Sequence, residues 1–139
     1  MAAADDVDSP ENAGPQRRLT VIMHADIAGY SRLMEADETG THARLIACRR
    51  LIDAALAAHG GRLVGSAGDA VLATFASVTE GLAAAIALQR AMAAQNAGLP
   101  ADRQLLLRIG LNLGDVIIDG EDIFGTGVNV AARLEAMAE

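Results

Sequence analysis

Two aspartates and one polar stretch near the C-terminus are the residues whose types and spacing could do chemistry. Asp26 closes the apolar run from Leu19 to Ile27, and Asp69 follows Gly68 just ahead of the apolar run Ala70 to Phe75. Adjacent carboxylates repel unless a cation or a shared proton lies between them. Hard oxygen donors of this kind suit Mg²⁺ or Mn²⁺. A metal pair so held can orient a triphosphate and stabilise both the attacking and the leaving oxygen. After Asp26 the chain bends through Ala28 and Gly29, where backbone N–H groups can cradle phosphate. Singly, Asp26 fits a helix cap and Asp69 a turn residue; the pair together points to metal.

The polar stretch is Asp122-Ile-Phe-Gly-Thr-Gly-Val-Asn129-Val-Ala-Ala-Arg133. Asn129 and Arg133 are four apart on a predicted helix and so share one face. An amide and a guanidinium side by side suit a ribose oxygen and a developing phosphate charge. Asp122, ahead of that helix, can accept from an exocyclic amine. Spacing alone leaves this open, because Asn and Arg on a helix usually form a solvated face. His24 shares the face of Asp26 and reads as a buried or interface histidine rather than a ligand.

The elements that must position these residues follow from periodicity. Leu19 to Ile27 alternates as a strand. Ala28-Gly29-Tyr30-Ser31 is a break, and a helix follows from about Glu38 to Ala58 with Leu45, Cys48, Leu51, Ile52 and Leu56 on one face. Arg62 to Ser66 and Ala70 to Phe75 read as a strand pair turned at Ala67-Gly68-Asp69. Ser77 and Glu80 have the spacing of a capping box and open a helix to about Ala97, with Leu82, Ile86 and Met92 inward. Gln104 to Leu113 is a strand, Gly114-Asp115 leads into a short further one, Val116 to Asp119, and a helix starts near Val128. The order β-α-β-β-α-β is the ferredoxin-like, α+β pattern, an antiparallel sheet with helices on one face. A hairpin arm and a helix extend it. In that topology the first and third strands are antiparallel neighbours, which brings Asp26 and Asp69 to one edge.

Composition bounds the rest. The 139 residues suffice for one domain. Residues 1–17 are polar and acidic and read as a disordered leader; 18–139 form the domain. The net charge is −7, and the four acids of the leader account for more than half of it. All 11 basic residues are arginine. No basic footprint and only Tyr30, Phe75 and Phe124 as aromatics argue against nucleic acid as a partner. No apolar run is long enough to cross a membrane and no signal-peptide core is present, so the expectation is a cytoplasmic protein. The lone Cys48 reads as a small core residue.

Taken together, Ala25-Asp26-Ile27-Ala28-Gly29-Tyr30-Ser31, Gly68-Asp69-Ala70, Arg108-Ile-Gly-Leu and Asp122 through Arg133 resemble the class III adenylyl/guanylyl cyclase catalytic domain over roughly residues 18 to 139. The resemblance implies that Asp26, Asp69 and the Ile27 carbonyl hold two Mg²⁺ or Mn²⁺ ions per site. It implies that Ala28, Gly29, Tyr30, Ser31 and Gly68 lie along the phosphates and that Asp122 selects adenine. Asn129 would orient the ribose and Arg133 would stabilise charge on the α-phosphate. ATP would be the substrate, and the site would form between two protomers of a head-to-tail homodimer. The partner would also cover the sheet face left open by the two helices.

Two departures matter. Adenylyl members usually carry a lysine four residues before the second aspartate, where this chain has Gly65. The chain also stops at Glu139, whereas resembling domains continue, so the expectation is a domain lacking its C-terminal part, with weak or no turnover. Two alternatives stay open: a nucleotide-binding dimerisation module without catalysis, and a cyclase that prefers or accepts GTP. A diguanylate cyclase is disfavoured, because its Gly-Gly-Asp/Glu-Glu-Phe hairpin is replaced by Ser66-Ala-Gly-Asp-Ala70.

Overall fold

The computed structural model describes the backbone of residues 16–119 and 122–138. The elements are β1 (Gln16–Ile27), α1 (Tyr30–Ala36), α2 (Glu38–Ala58), β2 (Arg62–Ala67), β3 (Ala70–Phe75), α3 (Val78–Asn96), a 3₁₀ turn (Ala101–Arg103), β4 (Leu107–Asp119), β5 (Asp122–Phe124) and α4 (Thr126–Met137). The strands form one antiparallel sheet in the order β2-β3-β1-β4-β5. This is the expected α+β, ferredoxin-like arrangement with a hairpin arm.

β1 is central and buries apolar side chains on both faces. Its odd positions Val21, Met23, Ala25 and Ile27 pack with α2 and α3, while Ile22 packs on the other face with Val116 and Ala131. Side chains such as Ile22, Met23 and Ile27 are 2% exposed or less, each worth roughly 1.5–3 kcal/mol of burial. α2 starts at Asp37, whose side chain accepts from Gly40 N. It buries Leu45, Cys48, Ile52 and Leu56, with Leu51 partly covered. Burial pushes the Cys48 thiol up to about 11, so it is inert packing. α3 starts at Ser77, whose hydroxyl accepts from Glu80 N, half of the capping box expected there.

Several expectations are corrected. β1 begins at Gln16, so Gln16 and Arg17, placed in the leader, instead pair with Ile118 and Ile117. The bend after Ile27 is followed at once by a short helix, α1, that the sequence reading passed over. β4 is continuous: Gly114 and Asp115 pair with Thr20 and Leu19 instead of turning the chain. α3 buries Gly81, Ala84, Ala85, Leu88 and Met92, whereas Leu82 and Ile86, expected inward, are 50% and 43% exposed. Small residues face the sheet because they allow the helix to approach it closely. The sheet face expected to await a partner is partly covered by this chain's own α4.

Candidate active site

β1 and β3 run antiparallel with Ala25 opposite Val71. The end of β1 therefore lies beside the start of β3, and Asp26 and Asp69 share one edge of the sheet. The Asp69 carboxylate reaches across: its Oδ2 accepts from the Ile27 N–H at 2.9 Å. Gly68 makes the turn before it with φ +58, a left-handed conformation that suits glycine.

Asp26 is half-buried, its side chain 20% exposed. Arg108 stands opposite it in the β1–β4 ladder. The guanidinium donates from Nε to Oδ1 at 3.0 Å and from Nη2 to Oδ2 at 3.1 Å, a bidentate grip. Burial pushes the Asp26 carboxyl upward. Hydrogen bonding with Glu135 and Arg108, with the Arg108 charge, outweighs that and holds it below its ordinary value. Asp26 is thus an ionised oxygen donor. Asp26 and Asp69 fit a hard divalent cation by chemistry and by placement, while a protein cation holds both Asp26 oxygens. Among the described residues no group of three or more His, Cys, Asp or Glu gathers at one point. Further ligands for such a cation would come from backbone, substrate or water oxygens.

Sequence reasoning missed Glu135. It lies on α4, 3% exposed, with Oε1 3.3 Å from Arg108 Nε and Oε2 3.6 Å from His24 Nδ1. Burial, then hydrogen bonding with Asp26 and the charge of Asp26, push its carboxyl up to about 7, against the pull of Arg108. α4 comes this close because of Gly110. A methyl group there would collide with the Ala131 carbonyl oxygen and the Glu135 backbone. The signal available in the sequence was an acid in the inward stripe Gly127, Ala131, Glu135. His24 is half-buried against Glu135, in keeping with the structural role expected for it.

After Ile27, Ala28 N donates to Leu106 O at 2.9 Å, and Gly29 (φ +64) starts α1 at Tyr30 and Ser31. Gly29 and Ser31 are exposed, Ala28 and Tyr30 half-buried. Asn129 and Arg133 are both exposed on the outward side of α4, and among the described residues neither side chain has a hydrogen bond or ion pair. The structure does not bring them to this chain's own aspartates. Asp122 begins β5 opposite Asp119; its side chain lies outside what the structure describes. Gly65 lines a cavity of ≈ 300 Å³ with His24, Leu72, Val128 and Ala132, and nothing lies within 4 Å of where its side chain would begin.

Residues 14–139 match the family model described as the adenylate and guanylate cyclase catalytic domain. The chain is 49% identical over 125 residues to putative adenylate cyclase 3 of Rhizobium meliloti, covering 89% of this chain and 21% of that protein. It is 40% identical over 127 residues to an adenylate cyclase of Streptomyces coelicolor, covering 88% of this chain and 30% of that one. The chain therefore spans less than a third of either relative. Among solved structures, an adenylate/guanylate cyclase/hydrolase from Silicibacter pomeroyi superposes with a TM-score of 0.84 at 46% identity, over 91% of this chain and 74% of that chain.

Proposed function

The chain belongs to the adenylate and guanylate cyclase catalytic domain family, and on that premise we propose that it converts ATP into 3′,5′-cyclic AMP and pyrophosphate. The observation that carries this reading is the meeting of Asp26 and Asp69 at one sheet edge, with Asp69 Oδ2 2.9 Å from Ile27 N. Asp26, Asp69 and the Ile27 carbonyl would hold two Mg²⁺ or Mn²⁺ ions, which supply Lewis acidity to the ribose 3′ oxygen and the phosphates. The bend at Ala28, Gly29, Tyr30 and Ser31, with Gly68, accommodates the triphosphate. Asp122 accepts from the adenine amine. Asn129 orients the ribose so that its 3′ oxygen lies in line with the α-phosphorus. Arg133 stabilises the charge that builds on the α-phosphate as pyrophosphate leaves. The chain's contribution is positioning and charge, not covalent chemistry.

A complete site requires two chains. Asp26 pairs with Arg108 and Asp122 with Asp119, at opposite ends of β4. Eleven residues of extended strand separate those positions, roughly 36 Å at ~3.3 Å per residue. One nucleotide cannot bridge that span within one protomer. The outward Asn129 and Arg133 fit the same reading: they serve the aspartates of a partner in a head-to-tail homodimer. ATP as substrate places the reaction in the cytoplasm; among the described residues no helix is long and apolar enough to cross a membrane.

The test is product formation with Mn²⁺ from ATP and GTP side by side, together with binding of a non-hydrolysable ATP analogue. Cyclic AMP, however slow its formation, is expected from ATP, falling by roughly 10²-fold or more in Asp26→Asn and Asp69→Asn. Asp122→Ala is expected to narrow the ratio of ATP to GTP use. Failure of the wild-type chain to bind the analogue with Mn²⁺ overturns the reading. Gly65 in place of a donor, and Arg108 on both oxygens of Asp26, favour one alternative, a module that binds nucleotide without turnover. Analogue binding without any product selects it.

A further inference from the structure

One glycine of β2 has no local reason to be a glycine. Among the glycines of the described residues, each of the others either has a positive φ or would drive a Cβ into a neighbouring atom. Gly65 does neither: its φ is not positive, and nothing stands within 4 Å of a Cβ built on it. The β2–β3 ladder shifts register between Leu63 and Gly65, but with that φ the bulge does not call for glycine. Glycine inside a strand weakens it, and its usual reasons are a bulge, a close backbone or a ligand that comes near. The first two do not apply at Gly65. What it supplies is empty space.

That space has a definite place. Gly65 lies opposite Leu72, Leu72 opposite His24 and His24 opposite Gly110, one row across β2, β3, β1 and β4. Residues directly opposite share a face, here the face on which Leu72 packs with Ile22, Val116 and Ala131. α4 rests on the Gly110 end of the row and leaves the Gly65 end open as the cavity of ≈ 300 Å³. Its walls are apolar apart from His24 and Ser66, and Val128 and Ala132 form the α4 side. Asn129 and Arg133 each follow one of those two residues on the helix.

We propose that Gly65 sets the specificity of nucleotide binding: it keeps open an apolar subsite for the base, and that subsite accepts an apolar substituent on the base's amine edge. The proposal rests on the reading of Asn129 and Arg133 as the ribose and phosphate contacts. A ribose at Asn129 starts the base beside Val128, on the α4 wall. The purine edge far from the glycosidic bond, which in adenine carries the amine, then points across the cavity toward β2 and Gly65. With no side-chain donor or acceptor at position 65, shape and dispersion hold that edge. A pocket of this kind rejects an enlarged ring only where a side chain stands in its path. At Gly65 none does.

The experiment is calorimetric binding of a non-hydrolysable ATP analogue and of its N6-benzyl derivative to the full chain with Mn²⁺. The wild type is expected to bind the derivative as tightly as the parent analogue, to within about threefold. Gly65→Leu fills the space and should weaken the derivative by about tenfold or more, while the parent changes by less than about threefold. Gly65→Ala should discriminate in the same direction by about threefold, which keeps the test decisive if the leucine variant does not fold. A wild-type chain that binds the derivative more weakly than this overturns the proposal, as does a substitution that weakens both ligands alike. Thermal melts add a second readout. Gly65→Ala should melt at or above the wild-type temperature, since a strand glycine is weakening; a lower melting point gives Gly65 a backbone role and also overturns the proposal. Asn129→Ala and Arg133→Ala separate the two levels. If they leave binding of both ligands unchanged, or if the wild type binds neither ligand, the nucleotide reading itself fails. If they weaken the parent analogue while the wild type refuses the derivative, only the role of Gly65 fails.

Discussion

Glu135 puts a carboxyl where an inward helix position is ordinarily apolar, and that sets a pH dependence with a definite sign. Its carboxyl is raised from 4.5 to about 7 in the folded chain, so between those values the folded state binds more protons than the unfolded one. Stability then falls as pH rises through that window. Asp26 acts oppositely: its value is lowered, so its contribution is present above 3.8 and is lost as pH falls through its folded value. In metal-free buffer the thermal midpoint is expected to drop from pH 5 to pH 7.5, and Glu135→Gln should flatten that slope; a slope unchanged in the variant contradicts the assignment. The two aspartates were legible in the sequence because they bracket apolar runs whose pairing the topology dictates. Arg108 was legible as part of a motif but not as a partner of Asp26. That relation exists only through cross-strand register, which no local spacing encodes.

At the scale of elements, the position of α4 depends on one missing methyl group. Gly110 lets the helix backbone at Ala131 and Glu135 rest directly on β4. Gly110→Ala is expected to cost about 1–3 kcal/mol through overpacking. It should also lower activity beyond what the stability loss explains, because α4 carries Arg133, the residue proposed to act on the α-phosphate. A thermal melt beside an assay at low temperature would show both, and an unaltered melting point would refute the close approach. The turn from α3 into β4 is held by a different device. The Asn96 side chain accepts from Leu105 N at 3.1 Å and donates to Leu105 O at 2.8 Å, as a neighbouring strand would. The long helices were legible from their caps and apolar faces. α1 was not, since it starts at a glycine with no side-chain cap and buries none of its residues fully. Nor was the continuity of β4, because Gly114-Asp115 has the chemistry of a turn and only pairing with β1 keeps it extended. Leu82 and Ile86 misled for a related reason. Hydrophobicity alone placed them inward, but shape complementarity gave that face to alanine and glycine. The two larger side chains instead border an open apolar groove of ≈ 580 Å³ with Ile109 and Leu111.

The whole molecule is governed by the twelve-residue β1–β4 ladder, from Gln16 opposite Ile118 to Ile27 opposite Leu107. It holds the aspartate edge and the hairpin arm at opposite ends. In the proposed dimer each protomer therefore supplies half of two different sites. Neither Asp26→Asn nor Arg133→Ala chains should be active alone. Mixed in equal amounts, they should recover about a quarter of the wild-type rate, because half of the dimers are mixed and each mixed dimer has one intact site. No recovery, with mixed dimers shown to form, would contradict a shared site. Under the proposed function the same ladder has a further consequence. If the proposed shared site is the active one, catalysis becomes second order in protein wherever the chains are mostly apart. Doubling the number of molecules would then quadruple the messenger made, so abundance alone becomes a gain control.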